Sequence, residues 1–301
     1  WVYMGPRETP PPLPDLEPNM VSGSISMQMM DCNWVQAIEN NMDTTHIGFL
    51  HFGSVDPKAS ADWVDRRHGF RYLLEDRAPK FLVKETASGA AYAAYRDAGE
   101  NAYYYRIMMY HFPFFTQSPA GNINTSCNFV ALVPLDNAHT MQWWLSNDLN
   151  RANRPENEMS LRPNTSGWLG RFVPTVRMED DMQIDREAQK HDGTWKGFSG
   201  IATIPDQDRG IAESQGEVQD RTAEHLAGSD AMIIQVRGLL VRAATALRDH
   251  GTLPPAVDQP ELYRQRSGSI TLPRDQDVWD ATKDLREAFT FDRTHAGVAS
   301  G

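Results

Sequence analysis

Two histidines five positions apart, His46 and His51, follow a carboxylate, Asp43, that stands three positions before the first. Two neutral imidazoles plus one carboxylate can hold iron(II) and leave open positions where oxygen and a substrate react. In a regular helix these two side chains would sit roughly 140° apart, at about 100° per residue. One metal can take both only if the helix is distorted or ends between them. Gly48 lies between them and relaxes the backbone there; a π-type turn would also bring them together. Asp43 and His46 are i,i+3 neighbours and share a face, so Asp43 is suited to touch the first histidine without being a ligand itself. A pair of histidines on a metal-free amphipathic helix has the same spacing, so the surrounding residues must decide.

The elements that would position these groups follow from patterning. Residues 1–19 read as a strand end and a Pro-rich extended linker. Met20 to Met30 begin as a strand, and a helix follows from about Asn33, with Asp31 as its candidate cap. A loop containing Gly53, Pro57 and Lys58 comes next. From Gly69 to about Leu145, aromatic and β-branched runs at 70–74, 81–84, 91–95, 102–109, 125–133 and 141–145 are separated by turn residues, which predicts an antiparallel meander. Residues 150–200 are polar and irregular and are candidates to line or cover a pocket. Met232, Val236, Leu239, Leu240, Ala243 and Leu247 predict a helix over 229–250, stopped by Gly251 and Pro254. One long amphipathic helix across an antiparallel sheet is an α+β layout.

The full string Asn33-Trp34-x-Gln36-x-x-Glu39-x-x-x-Asp43-x-x-His46-x4-His51 resembles the iron site of Rieske non-heme iron oxygenase α subunits, nearest to the phthalate dioxygenase-like ring hydroxylases. A second block, Gln207-Asp208-Arg209-Gly210-Ile211-Ala212-Glu213-Ser214-Gln215-Gly216 followed by Asp220 to Leu226 and Ser229-Asp230, is similar to that family's segment around its third ligand. The opening Trp1 to Pro6 and the Pro10–Pro14 run look like the last strand of a Rieske domain and its exit linker.

This resemblance implies a helix-grip catalytic domain over 20–301, in which the sheet curls around the long C-terminal helix and encloses a pocket. Residues 1–19 would then be the end of the preceding Rieske domain and its linker. It implies Fe(2+) on His46, His51 and an Asp just before a helix, a place that Asp208 matches and that Asp206, two positions away, shares as the alternative. In the family the residue matching Asp43 bridges the iron site to the Rieske cluster of a neighbouring subunit in a trimer. Asn33 and Glu39 are expected to fix the helix, and His225 to brace the second block.

The chain has 301 residues, 40% of them hydrophobic, and a formal net charge of -11. No basic stripe suits nucleic acid, no run of 18 apolar residues exists to span a membrane, and no signal peptide is visible. Only Cys32 and Cys127 are present. Reduced thiols in the cytoplasm are the default. A Rieske 2Fe–2S centre needs two Cys and two His, in the family as Cys-x-His and Cys-x-x-His, and neither motif occurs. The cluster is therefore expected in an N-terminal segment missing from this chain, which begins with Trp inside an apparent strand. Such a chain should not turn over with NADH and a reductase alone.

Arg71 and Arg106, on predicted strands amid apolar residues, are candidate substrate-binding groups. A buried Arg needs a carboxylate partner, and a guanidinium can clamp one with two hydrogen bonds. The resulting expectation is the catalytic domain of an aromatic ring-hydroxylating dioxygenase acting on a phthalate-like acid, with O2, a reductase and a homotrimer or stacked trimers as partners. Its rivals are a monooxygenase that demethylates aryl ethers, and a metal-free helix-grip module that only binds a hydrophobic ligand.

Overall fold

The computed structural model describes residues 3–20, 24–51, 69, 71–119, 121–123, 126–148, 158–161, 165–190 and 199–287. The expected loop at 53–58, and His68, His191 and His295, lie outside the described residues.

The chain forms strands β1 (Ser24–Met30), β2 (Lys80–Thr86), β3 (Gly89–Asp97), β4 (Ala102–His111), β5 (Phe115–Gln117), β6 (Ser126–Pro134), β7 (Thr140–Asp148), β8 (Glu158–Leu161) and β9 (Gly268–Pro273). They make one sheet in the order β2-β3-β4-β5-β6-β7-β1-β8, with β9 paired to β4. All pairings are antiparallel except β1 with β8. The helices are α1 (Glu17–Met20), α2 (Trp34–Met42), α3 (Arg71–Glu75), α4 (Ile204–Glu213) and α5 (Ala231–His250), with two short turns near the end of the described chain. The α+β expectation is met: an antiparallel sheet carries a long C-terminal helix against β2 and β3.

The sheet is buried on both faces, and β3 shows how. Ala90, Tyr92 and Ala94 share a cluster with Met108, Tyr110 and the helix residues Met232, Val236 and Leu239. Ala91 and Ala93 belong instead to a cluster with Ile107, Met109, Leu272 and Val278. Side chains alternate across a strand, so α5 covers one face and the helical turn Val278–Ala281 after β9 packs on the other. The small alanines let both covers approach. Each of the buried α5 side chains contributes about 1.5–3 kcal/mol by leaving water. α5 ends as its sequence predicts, with Gly251 in the left-handed conformation at φ 65°.

The start of the described chain is anchored to this body. Leu16 is fully buried, Arg264 pairs with Asp15, and Arg266 holds Glu17 with both carboxylate oxygens engaged.

Three expectations need correction. The run at 70–74 is not a strand: Arg71–Glu75 is a short helix, because Leu73 and Tyr72 pack onto Tyr104 and Ile47 rather than beside a strand. The cap of α2 is Asn33, whose side chain accepts from Val35 N at 3.0 Å; Asp31 is occupied elsewhere, its own N–H donating to Glu213. His225 is exposed. The bracing is done by its neighbour Glu224, which with Glu39 clamps Arg237 of α5 and Arg221. Glu39 thus ties α2 to α5, in keeping with its expected structural role.

Candidate metal centre

The helical run stops before the histidines, which resolves their spacing. α2 ends at Met42 with Asp43 as its C-cap. The Asp43 carboxylate then accepts from Thr45 N at 2.7 Å and His46 N at 2.8 Å, turning the chain. A single 3₁₀ turn, His46–Gly48, follows. Gly48 is required by close approach: a Cβ there would sit 2.9 Å from Arg77 Cγ and 3.0 Å from the Leu73 carbonyl of α3. Out of regular helix, the imidazoles of His46 and His51 come edge to face with centroids 4.9 Å apart.

α4 delivers the carboxylate. Thr203 caps it, Pro205 enters its first turn, and Thr203 Oγ1 donates to Asp206 Oδ2 at 2.6 Å. Asp206 is spent on this cap and on Arg209 at 3.2 Å. Asp208 lies one turn into the helix rather than before it, a correction to the expected place, and its backbone carbonyl accepts from Asn40 of α2 at 3.1 Å. Its Oδ1 lies 3.0 Å from His51 Nε2 and 3.4 Å from His46 Nε2.

His46, His51 and Asp208 therefore offer ligand atoms that all lie within 4.8 Å of one another. Asp208 Oδ1 is buried yet makes no well-aligned hydrogen bond. A buried carboxylate oxygen left in that state, facing two imidazole nitrogens, is what a cation would satisfy. The donor set fits a divalent iron with open positions.

The outer contacts orient these donors. His51 Nδ1 bonds Gln207 Oε1 at 2.7 Å. Gln207 is fully buried and fixed by its own bond to the Ile201 carbonyl at 2.9 Å. That leaves His51 Nε2 as the lone-pair nitrogen. The sequence marked Gln207 only as the residue that opens the second block, beside Asp208, with no role given to it. Asp43 Oδ2 lies 3.3 Å from His46 Nδ1.

Charges follow the same geometry. Burial works against charge on His46, but Asp208 and Asp43 outweigh it and lift its pKa to about 9. Burial likewise opposes the Asp208 carboxylate, but the two imidazoles hold it well below the ordinary range. Asp43 is also lowered: burial opposes its charge, and His46 and the amide N–H groups outweigh that.

The triad opens onto a cavity of about 380 Å³ whose lining includes Tyr92, Tyr104, Arg106 and Trp144. Arg106, on β4, is 8% exposed. Its Nε donates to Thr44 Oγ1 at 3.1 Å, between Asp43 and Thr45 in the chain. It has no carboxylate partner among the described residues. Arg96, near it on the same sheet face by register, has its pKa lowered to about 10, by burial first and then by Arg106. Arg71, by contrast, is exposed on α3 with its guanidinium on Tyr72, away from the cavity.

A model of the family described as LigXa C-terminal domain like matches residues 2–286. The chain belongs to that family. This LigXa C-terminal-domain-like chain is 35% identical over 304 residues to the 3-chlorobenzoate-3,4-dioxygenase oxygenase subunit of Comamonas testosteroni, covering 95% of the chain and 68% of the relative. It is 28% identical over 264 residues to the phthalate 4,5-dioxygenase oxygenase subunit of Pseudomonas putida, covering 82% and 57%. It is 25% identical over 315 residues to the 5,5'-dehydrodivanillate O-demethylase oxygenase subunit of Sphingobium sp. (strain NBRC 103272 / SYK-6), covering 99% and 60%. The chain thus spans between 57% and 68% of these relatives. The resemblance to phthalate dioxygenase-like Rieske oxygenase subunits is borne out. No helix among the described residues is long and apolar enough to cross a membrane.

Proposed function

We propose that this chain is the catalytic domain of an aromatic ring-hydroxylating dioxygenase whose substrate is an aromatic acid. The observation that carries the reading is the convergence of His46, His51 and Asp208, with an unsatisfied Asp208 Oδ1, on a cavity that also holds Arg106, a buried guanidinium with no carboxylate partner among the described residues. Iron(II), when held by these three residues, supplies the oxygen-activating redox chemistry that no side chain can.

The remaining work belongs to the chain. Gln207 holds His51 in the tautomer that presents Nε2, and Asp43 positions His46 by accepting from its backbone N–H, with Oδ2 3.3 Å from Nδ1. On the family resemblance we assign Asp43 the electron-transfer bridge to a neighbouring subunit's Rieske cluster. Arg106 is the group that clamps the substrate carboxylate: a buried cation without an anion is costly, and an acid entering the cavity relieves it. Tyr92, Tyr104 and Trp144 wall the ring. Arg71 has no part in this reading.

Residues 1–19 are read as the end of a Rieske domain and its linker, and 20–301 as the catalytic domain. The 2Fe–2S cluster belongs to the preceding domain, the electrons come from a reductase, and the assembly is a cytoplasmic homotrimer or stacked trimers. A second reading, an aryl-ether O-demethylase, is favoured by the O-demethylase subunit that matches 99% of this chain.

The test supplies the iron-loaded chain with hydrogen peroxide, which brings oxygen already reduced by two electrons and needs no cluster. Aromatic acids should be oxidised by the wild type and not by His51→Ala. Removing the charge in Arg106→Leu should weaken acid binding about 10–100-fold, the scale of a charged hydrogen-bonded contact. Formaldehyde from methoxybenzoates, without ring diols from unsubstituted acids, would favour the demethylase. A folded wild type that takes up no iron would favour the metal-free binding module and overturn the oxygenase reading.

A further inference from the structure

The wall of the cavity formed by β1, β6 and β7 differs in kind from the β4 wall. Gln28 and Gln142 stand directly opposite each other on β1 and β7. Gln28 Nε2 donates to Gln142 Oε1 at 2.8 Å. The residues are 2% and 8% exposed, and both line the cavity. Among the described residues that mutual bond is the only hydrogen bond either side chain makes. Gln28 Oε1 and the Gln142 amino group are left over, and neither is sealed from the cavity.

The surplus does not depend on how the amides are turned. If both are flipped, Gln142 donates to Gln28, and one carbonyl and one amino group are still left. A buried polar pair of this kind costs free energy unless something pairs with it. Asn128 on β6 lines the same cavity, and its side chain makes no hydrogen bond among the described residues. The other cavity-lining residues of these strands, Met30 and Trp144, carry no charge.

A free carbonyl beside a free amino group matches a ligand atom that donates and accepts at one place. A hydroxyl does both. A carboxylate would meet the carbonyl's lone pairs, and an ether or halogen has no proton to give it. Arg106 sits on β4, across β5, β6 and β7 from β1 in the sheet order. We infer that the substrate is a hydroxylated aromatic acid whose hydroxyl is read by the Gln28–Gln142 pair at the wall away from Arg106. This rests on the reading of the cavity as the substrate site, and it names a specificity pair that the iron chemistry does not require.

The experiment is calorimetric titration of the chain without oxygen or electrons, so that binding alone is read. The probes are the three hydroxybenzoates against the matching methoxybenzoates, and phenol against anisole. At least one hydroxybenzoate should bind about tenfold tighter than its methoxy counterpart, the scale of one buried hydrogen bond. In Gln28→Met and Gln142→Met that ratio should fall to about one, with benzoate affinity kept. Equal binding within every pair in the wild type, or no binding at all, would overturn the inference, as would a preference that survives in both variants. Arg106→Leu separates the two claims. It should weaken every acid while leaving phenol preferred over anisole. A preference for phenol with no advantage for the acids would sink the acid half of the inference and the carboxylate reading of Arg106, and keep only the hydroxyl-reading pair.

Discussion

His46 keeps 19% of its side chain exposed and His111 is sealed in the core, and the two are driven in opposite directions. His46 sits against Asp208 and Asp43, and its pKa rises to about 9. His111 is 1% exposed between Phe129 and Tyr263, bonded through Nδ1 to Ser88 Oγ at 2.7 Å. Burial dominates there, Gln117 only partly offsets it, and the pKa falls to about 4. The difference teaches that burial does not make a histidine a ligand. His46 differs in facing anionic oxygen on both sides of its ring, Asp208 near Nε2 and Asp43 near Nδ1. His111 has neutral neighbours and belongs to the core.

The comparison can be sharpened first by pH. His111 is depressed on folding, so its contribution is intact above the unfolded value of 6.5 and is lost as pH falls through about 4, a change of about 3 kcal/mol. His46 is raised, so in the metal-free chain its contribution is intact below 6.5 and is lost as pH rises through about 9, again about 3 kcal/mol. Urea unfolding across pH should show the acid limb flattened in His111→Gln and the alkaline limb flattened in Asp208→Asn. Limbs that respond to the other variant would break the comparison.

A smaller effect is expected at Gln207. Gln207→Leu keeps the shape near His51 but removes its Nδ1 partner, and iron affinity should drop about 10–100-fold, the usual scale for such supporting contacts. Unchanged affinity in a metal titration would show that the ring needs no such support.

The smallest effect on iron belongs to Asp206. Asp206→Ala keeps the Thr203 cap but removes the side-chain partner of Thr203 Oγ1 and one partner of buried Arg209, and should cost about 1–3 kcal/mol in thermal unfolding. Iron stoichiometry should stay intact. Loss of iron at full stability would return Asp206 to the ligand set.

The grouping of His46, His51 and Asp208 was legible because they sit in long ordered strings that resemble a family. Their geometry was not legible: no local pattern says that α2 stops at Asp43 or that α4 begins before Asp208. Most of the strands from 80 to 148 show in their aromatic and β-branched runs, and α5 shows in its periodicity. Arg71–Glu75 misled because five residues are too few to fix a period, and contact with Tyr104 decided the outcome. β9 was unread because its neighbour β4 lies far away in the chain. The Gln28–Gln142 pair was invisible for the same reason: only strand register makes two distant glutamines neighbours.

The measurement that tests the central claim most directly is anaerobic iron(II) binding to the folded chain, read as stoichiometry. One iron per chain is predicted for the wild type, His111→Gln and Asp206→Ala, and none for His46→Ala, His51→Ala and Asp208→Ala. Retention of iron in folded Asp208→Ala, or its absence from the folded wild type, would contradict the account.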